Sequence, residues 1–408
     1  VTNVSEEPIE NITMNLFVNQ YMDNPTACTV PTSLAPGESA EIELRGFFND
    51  QVLRIEESTK VSAELALAFE QGTDEHQRTY TQTIRLQHRN AMTWDDPEKP
   101  AAYVTPRDSA VLSLRGQISR VIQNARQTEV NDNLQRLIAL HTAMSLYDTT
   151  YTRDPASPYR QGDELAVDYV QFPRQTLSQR AGDCDDLSIL YCAVLESFDI
   201  PSAMVLVPGH IFVAVDLNMS VLDARSQFPR AEDLIFREGE TWIPFEPTSI
   251  SNGFMEAWQT GAREWRENVA RDQVIFVETR EANQTYEPVG LPAAEQGVPL
   301  PDTQEMLAAY DTELTAFIDQ TIYTQVAAIQ GQISERGRNP RLVNRLAVLY
   351  ARYGLYDRAR AELQQLRMEF PDYAPAVANL GNIEYQEGNL EEAADYYESA
   401  LNLEPDDP

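Results

Sequence analysis

A cysteine opening a helix, a histidine opening a strand and a carboxylate closing another strand are the parts of a thiol nucleophile. The sequence carries all three. In Arg180-Ala-Gly-Asp-Cys-Asp-Asp-Leu, Gly182 breaks the preceding structure and Asp183 is placed to cap a helix. Asp186, three residues later, completes a capping-box spacing. Cys184 then falls in the first turn, where backbone N–H groups and the positive end of the helix dipole favour a thiolate. Leu187, Leu190, Tyr191, Val194 and Leu195 form the apolar stripe that buries the helix. A thiolate attacking a carbonyl also needs a base and a group that orients the base. Pro208-Gly-His-Ile-Phe-Val-Ala-Val offers His210 at the start of an apolar strand, with Gly209 allowing another backbone to approach. Thr241-Trp-Ile-Pro-Phe-Glu-Pro-Thr places Glu246 at the end of another strand of the same sheet. Asp223, in Val221-Leu-Asp-Ala, is the rival acid. The backbone N–H of Cys184 and the side-chain amide of Gln171 are candidate oxyanion donors. Asp185 and Asp186 oppose a thiolate by their charge, so the imidazolium has to outweigh them.

The other chemistry-bearing residues read as structural. Cys192, eight positions further along the same helix, belongs to the core, and Cys28 lies among the N-terminal strands without a partner. Three distant cysteines make no disulfide framework. His76 and His88 sit in polar stretches as surface histidines, and His141 on an early helix is a satisfied or exposed side chain. A zinc site from Cys184, His210 and the aspartates is disfavoured, because Asp185 and Asp186 point along the helix start. No metal and no cofactor are expected.

These side chains are expected on a multidomain chain. Residues 1–90 read as all-β. Asn11–Val18, Ala40–Arg45, Val61–Ala68 and Thr79–Leu86 alternate apolar and polar residues with period two, as in an immunoglobulin-like β-sandwich. Residues 91–108 are a turn-rich connector. An α+β catalytic region follows over 109–280. Its helices are expected at Ser109–Ala125, Asn131–Tyr147 and Leu177–Phe198, then a loop-spaced set of apolar strands, one of them Ser220-Val-Leu-Asp-Ala. A loop rich in Asp, Pro and Tyr runs from Asp148 to about Phe172. Residues 281–302, with four prolines, form a linker. Residues 303–408 are helical and repeat with a period of 34: Leu346 matches Leu380, Ala347 Gly381, Gly354 Gly388, Ala359 Ala393 and Pro371 Pro405. Two repeats rarely stand alone, so helices between Thr303 and Arg336 are expected to cap them, unless further repeats follow.

The 34-residue pattern resembles the tetratricopeptide family, whose arrays bind peptides or partner proteins. The block from about Asp168 to Thr248 resembles the transglutaminase-like superfamily, whose core is related to papain-type cysteine proteases. The matching motifs are Gly182-Asp183-Cys184, Ile200-Pro201, Gly209-His210 and Trp242-Ile-Pro-Phe-Glu-Pro-Thr. The resemblance implies Cys184 as nucleophile and His210 as base and later acid. Family members carry Asp where this chain has Glu246, and a Glu there still accepts the imidazole N–H. The resemblance further implies a peptidase or amidase working through a thioester on a peptide or protein substrate. The alternative is a non-catalytic envelope or surface scaffold that keeps the fold.

Composition bounds these readings. The 408 residues hold 31 basic against 64 acidic side chains, a net charge of −33, which repels nucleic acid and anionic membranes. Lys60 and Lys99 are the only lysines. A carboxylate-rich, lysine-poor surface suits solubility in high salt. No apolar run is long enough to span a bilayer. A first residue of Val1 rather than Met leaves processing or excision from a longer chain as alternatives, and the module set points to the periplasm or cell exterior.

Overall fold

The computed structural model describes residues 1–152, 165–293 and 297–404, so part of the 148–172 loop, part of the 281–302 linker and Pro405 lie outside the described residues. The chain divides into two compact units. The first comprises Val1–Thr93 with short returning segments, Ala166–Val170 among them. Its centre is an antiparallel five-stranded sheet. Ile9–Val18 pairs on one side with Thr59–Gln71 and on the other with the short strands Thr26–Ala27 and Ser33–Leu34, while Asp74–Leu86 pairs with the outer side of Thr59–Gln71. Alternation puts Met14, Leu16, Val18, Ala63 and Leu67 into one buried face. The expected strand at Ala40–Arg45 does not form. Ala40 and Ile42 still press half-buried onto that face, and Ala40 exchanges backbone hydrogen bonds with Val1, but among the described residues that pairing does not extend into a ladder. Among the described residues the unit therefore holds this sheet with an irregular cover and a two-stranded ladder of Ala91–Met92 with Asp168–Tyr169, instead of two facing sheets.

The second unit begins at Trp94 and contains both the central α+β region and the helical tail. Its sheet is antiparallel, in the order Ile235–Arg237, Glu240–Phe245, His210–Ser220, Ser202–Val207, Ile275–Glu278. Helices Asp132–Leu146, Cys184–Ser197 and Phe254–Val269 pack on it, and Ser109–Asn124 packs on the first two of these. Two expectations need correction. The segment expected as one helix over Leu177–Phe198 is two. Pro173–Gln179 ends at Arg180, whose φ is 53°, and Ala181–Gly182 then pairs in parallel with Thr150–Tyr151 before the chain re-enters a helix at Cys184. The segment after Ser220 is a helix, Val221–Gln227, not a strand. The Ser220 hydroxyl caps it by accepting from the Asp223 N–H at 3.2 Å, and that local bond overrides the β-prone Val221-Leu222 start.

The tail has one helix of 34 residues, Thr303–Arg336, where several were expected. Two helical hairpins follow, Pro340–Arg352 with Tyr356–Glu369 and Ala374–Gln386 with Leu390–Leu403. The small residues of the repeat sit where the helices meet: a Cβ at Gly381 would lie 2.8 Å from the Tyr397 ring. Among the described residues no helix is long and apolar enough to cross a membrane.

Candidate active site

Cys184 is the first residue of its helix. The Asp183 carboxylate accepts from the Asp186 N–H and the Asp186 carboxylate from the Asp183 N–H, both at 3.4 Å, so the capping box forms as its spacing requires. Gly182 is obligatory beside it, because a Cβ there would fall 2.7 Å from that of Asp186. His210 opens its strand directly after the two-residue turn Pro208-Gly209, which joins Ser202–Val207 to His210–Ser220. Gly209 supplies the turn's φ of +71°. Phe245 pairs with Val213, which sets Glu246 one step further, opposite Phe212 and on the face His210 shares. Gly261 lets the Phe254–Val269 helix seat on this strand end, since a Cβ there would come 2.7 Å from the Phe245 nitrogen.

The result is a connected set. His210 Nε2 lies 2.6 Å from Glu246 Oε2. The other Glu246 oxygen accepts from the Thr248 N–H at 3.0 Å and the Thr248 hydroxyl at 2.6 Å. The Cys184 thiol is hydrogen-bonded to the imidazole, whose Nε2 is engaged by Glu246. Burial works against charge on His210, but the bonds to Cys184 and Glu246 and their charges prevail, holding the imidazolium up to about 10. Glu246 is 2% exposed and Cys184 6%, while the His210 side chain is 25% exposed, so most solvent access is at the imidazole.

The three neighbouring aspartates do not act as three full charges. Burial, reinforced by a hydrogen bond with Asp183 and by the adjacent charges, raises the Asp185 carboxyl well above the usual range. Burial and the Asp183 charge push Asp186 up to about 7. Oxygens of Asp183, Asp185 and Asp186 lie within 4.8 Å of one another, hard donors of the kind calcium or magnesium takes, and neither Cys184 nor His210 belongs to that cluster.

Of the two candidate acids, Glu246 reaches His210. Asp223 follows the opposite end of the His210–Ser220 strand, on the order of 30 Å away at about 3.3 Å per residue. It is exposed and engaged with Ser220. Gln171 stands close to the helix start, but its amide hydrogens are already given to Asp186 Oδ2 at 2.6 Å and to the Ala181 carbonyl at 3.3 Å. Its backbone N–H holds Asp186 Oδ1 at 2.7 Å. In this arrangement Gln171 braces Asp186, and serving an oxyanion would require those bonds to open. Thr248, the last residue of the strand motif, fixes the Glu246 carboxylate, a role its sequence context does not signal.

The remaining thiols and imidazoles are structural. All three cysteines are reduced, and burial raises the Cys192 thiol to about 12. His141 is 1% exposed, bonded to the Tyr191 hydroxyl at 2.9 Å, and lowered by burial to about 4, so it is neutral. His76 and His88, expected as solvated, are half-buried against the rings of Phe69 and Tyr169.

No curated protein matches the chain. A tetratricopeptide-repeat family model matches residues 374–407, the second hairpin and its exit, so this part of the tail carries a repeat of the kind that binds proteins.

Proposed function

We propose that the chain is a cysteine peptidase or amidase of transglutaminase-like type, acting through a thioester at Cys184, with its repeat tail binding a protein partner. The observation that carries this reading is the bonded sequence Cys184–His210–Glu246 at a helix start. Cys184 sulfur attacks the carbonyl carbon of an amide, and its negative charge passes to the carbonyl oxygen. The backbone N–H of Cys184, in the helix's first turn, is the donor assigned to that oxyanion. The tetrahedral species collapses by breaking the C–N bond as His210 gives its proton to the leaving amine. Water then attacks the thioester, His210 takes its proton, and the C–S bond breaks to release the acid. Glu246 keeps the imidazole oriented throughout and balances its charge. The N-terminal sheet serves as a presentation module, and the work is done in the periplasm or at the cell exterior.

The 6% exposure of Cys184 favours a second reading, a scaffold that retains the fold without turnover. Thiol labelling separates the two. An electrophilic peptide should modify Cys184 ahead of Cys28 and Cys192, as read by mass spectrometry, and His210→Ala should abolish the preference. Ordinary reactivity at Cys184 in the parent protein would leave the scaffold.

A further inference from the structure

The Asp74–Leu86 strand ends the N-terminal sheet. All 13 of its residues pair with Thr59–Gln71, without a register shift, and among the described residues none pairs on its other side. Residues 77–83 are exposed without interruption, and Tyr80 keeps 55% exposure. The strand has no proline and no bulge, two of the devices that blunt an edge, and its charged side chains are the remaining one. Its charges are unmatched within the hairpin. Glu75 sits across from Glu70 and Arg85 across from Lys60, and among the described residues neither Glu75 nor Arg85 forms an ion pair.

We propose that this edge pairs with the same edge of a second copy, antiparallel, about a two-fold axis at Tyr80. In that register the strand is complementary to itself. Glu75 meets Arg85 of the second copy, twice by symmetry. Gln77 meets Thr83, Thr79 meets Thr81, and the two Tyr80 side chains face one another. The like-charge neighbours inside each hairpin thereby gain opposite-charge neighbours across the axis, and the outer backbone N–H and C=O groups gain partners. An isologous contact closes on itself, so the product is a dimer and not a fibre. Strand pairing of this length is a small contact beside the roughly 1,200 Å² at which standard interfaces begin, so the association is expected to depend on protein concentration.

Sedimentation velocity of the full chain over a concentration series tests this, in about 0.15 M salt, where a Debye length near 8 Å screens the overall repulsion but not contact pairs. The parent protein should dimerise with concentration. Glu75→Arg and Arg85→Glu should each weaken dimerisation about tenfold, since each converts two opposite-charge cross-strand pairs to like-charge pairs. The double variant should restore it, as should an equimolar mixture of the two single variants, whose heterodimer regains both pairs. Matching circular-dichroism melts confirm that both exposed substitutions leave the fold intact. A parent protein that stays monomeric, whether or not its edge captures an unrelated strand peptide, overturns the proposal. So do single variants that dimerise normally, or a mixture that fails to recover.

Discussion

Replacing Glu246 with Gln keeps the side chain's shape and removes its charge. His210 is held from 6.5 up to about 10 by Cys184 and Glu246 against the pull of burial. At about 1.4 kcal/mol for each pH unit, that rise is worth roughly 5 kcal/mol in favour of the imidazolium. If Glu246 supplies half, its loss makes the thiolate–imidazolium pair about one hundredfold rarer relative to neutral thiol and imidazole. The assay is the rate of alkylation of Cys184 by a neutral haloacetamide between pH 6 and 11, site by site by mass spectrometry. Glu246→Gln should react about one hundredfold more slowly near pH 7, and the two profiles should converge above about pH 10, where the parent imidazolium is itself lost. Asp223→Asn, at the far end of the strand, should follow the parent curve. Superimposable curves for Glu246→Gln and the parent, or an equal loss in Asp223→Asn, would refute the reasoning.

Thr248→Ala removes the hydroxyl that holds Glu246 Oε1 at 2.6 Å, a bond to a charged group worth about 1.5–3 kcal/mol. Labelling of Cys184 should slow about tenfold and recover in Thr248→Ser. Gly261→Ala forces a Cβ to within 2.7 Å of the Phe245 nitrogen, and backbone must move to admit it. The cost should be about 1–3 kcal/mol, visible as a lowered melting temperature, with labelling reduced because the Glu246 strand end shifts. Asp186 keeps its proton in the folded state up to about 7, against 3.8 when unfolded. The unfolded chain therefore loses that proton first, and the contribution to stability falls as pH rises from 3.8 toward 7. Asp186→Asn should flatten that segment of the melting-temperature profile; an unchanged slope would contradict the assignment.

What the sequence disclosed depended on how local the signal was. The capping box at Asp183 and Asp186 and the repeat spacing that matches Gly354 with Gly388 rest on local signals, and each formed, whereas Gly209, expected to admit another backbone, supplies the positive φ of a hairpin turn. Alternation at Ala40–Arg45 marked Ala40 and Ile42 as inward, failed at Leu44, which is exposed, and was silent about partners. A strand exists only where a neighbour takes its hydrogen bonds residue after residue, and here the pairing of Ala40 with Val1 is not continued along the segment. At Val221 the β-branched start suggested extension, whereas a single serine hydroxyl one residue earlier decided for a helix. The 34 residues of Thr303–Arg336 likewise contain no breaker strong enough to divide them.

The site was legible as a set of parts, not as a circuit. Spacing along the chain left Glu246 and Asp223 both available. Register in the sheet separates them, because Phe245 pairs with Val213 while Asp223 follows the strand's other end. The aspartates beside Cys184 are the more instructive case. Counted as letters they are three negative charges next to a sulfur that has to become negative, which argues against the chemistry. Folding buries Asp185 and Asp186, and burial makes the neutral acid the cheaper form for both. The field at the helix start is thus weaker than the count, and the imidazolium, held by a carboxylate that Thr248 has already fixed, faces less opposition than composition alone assigns to it.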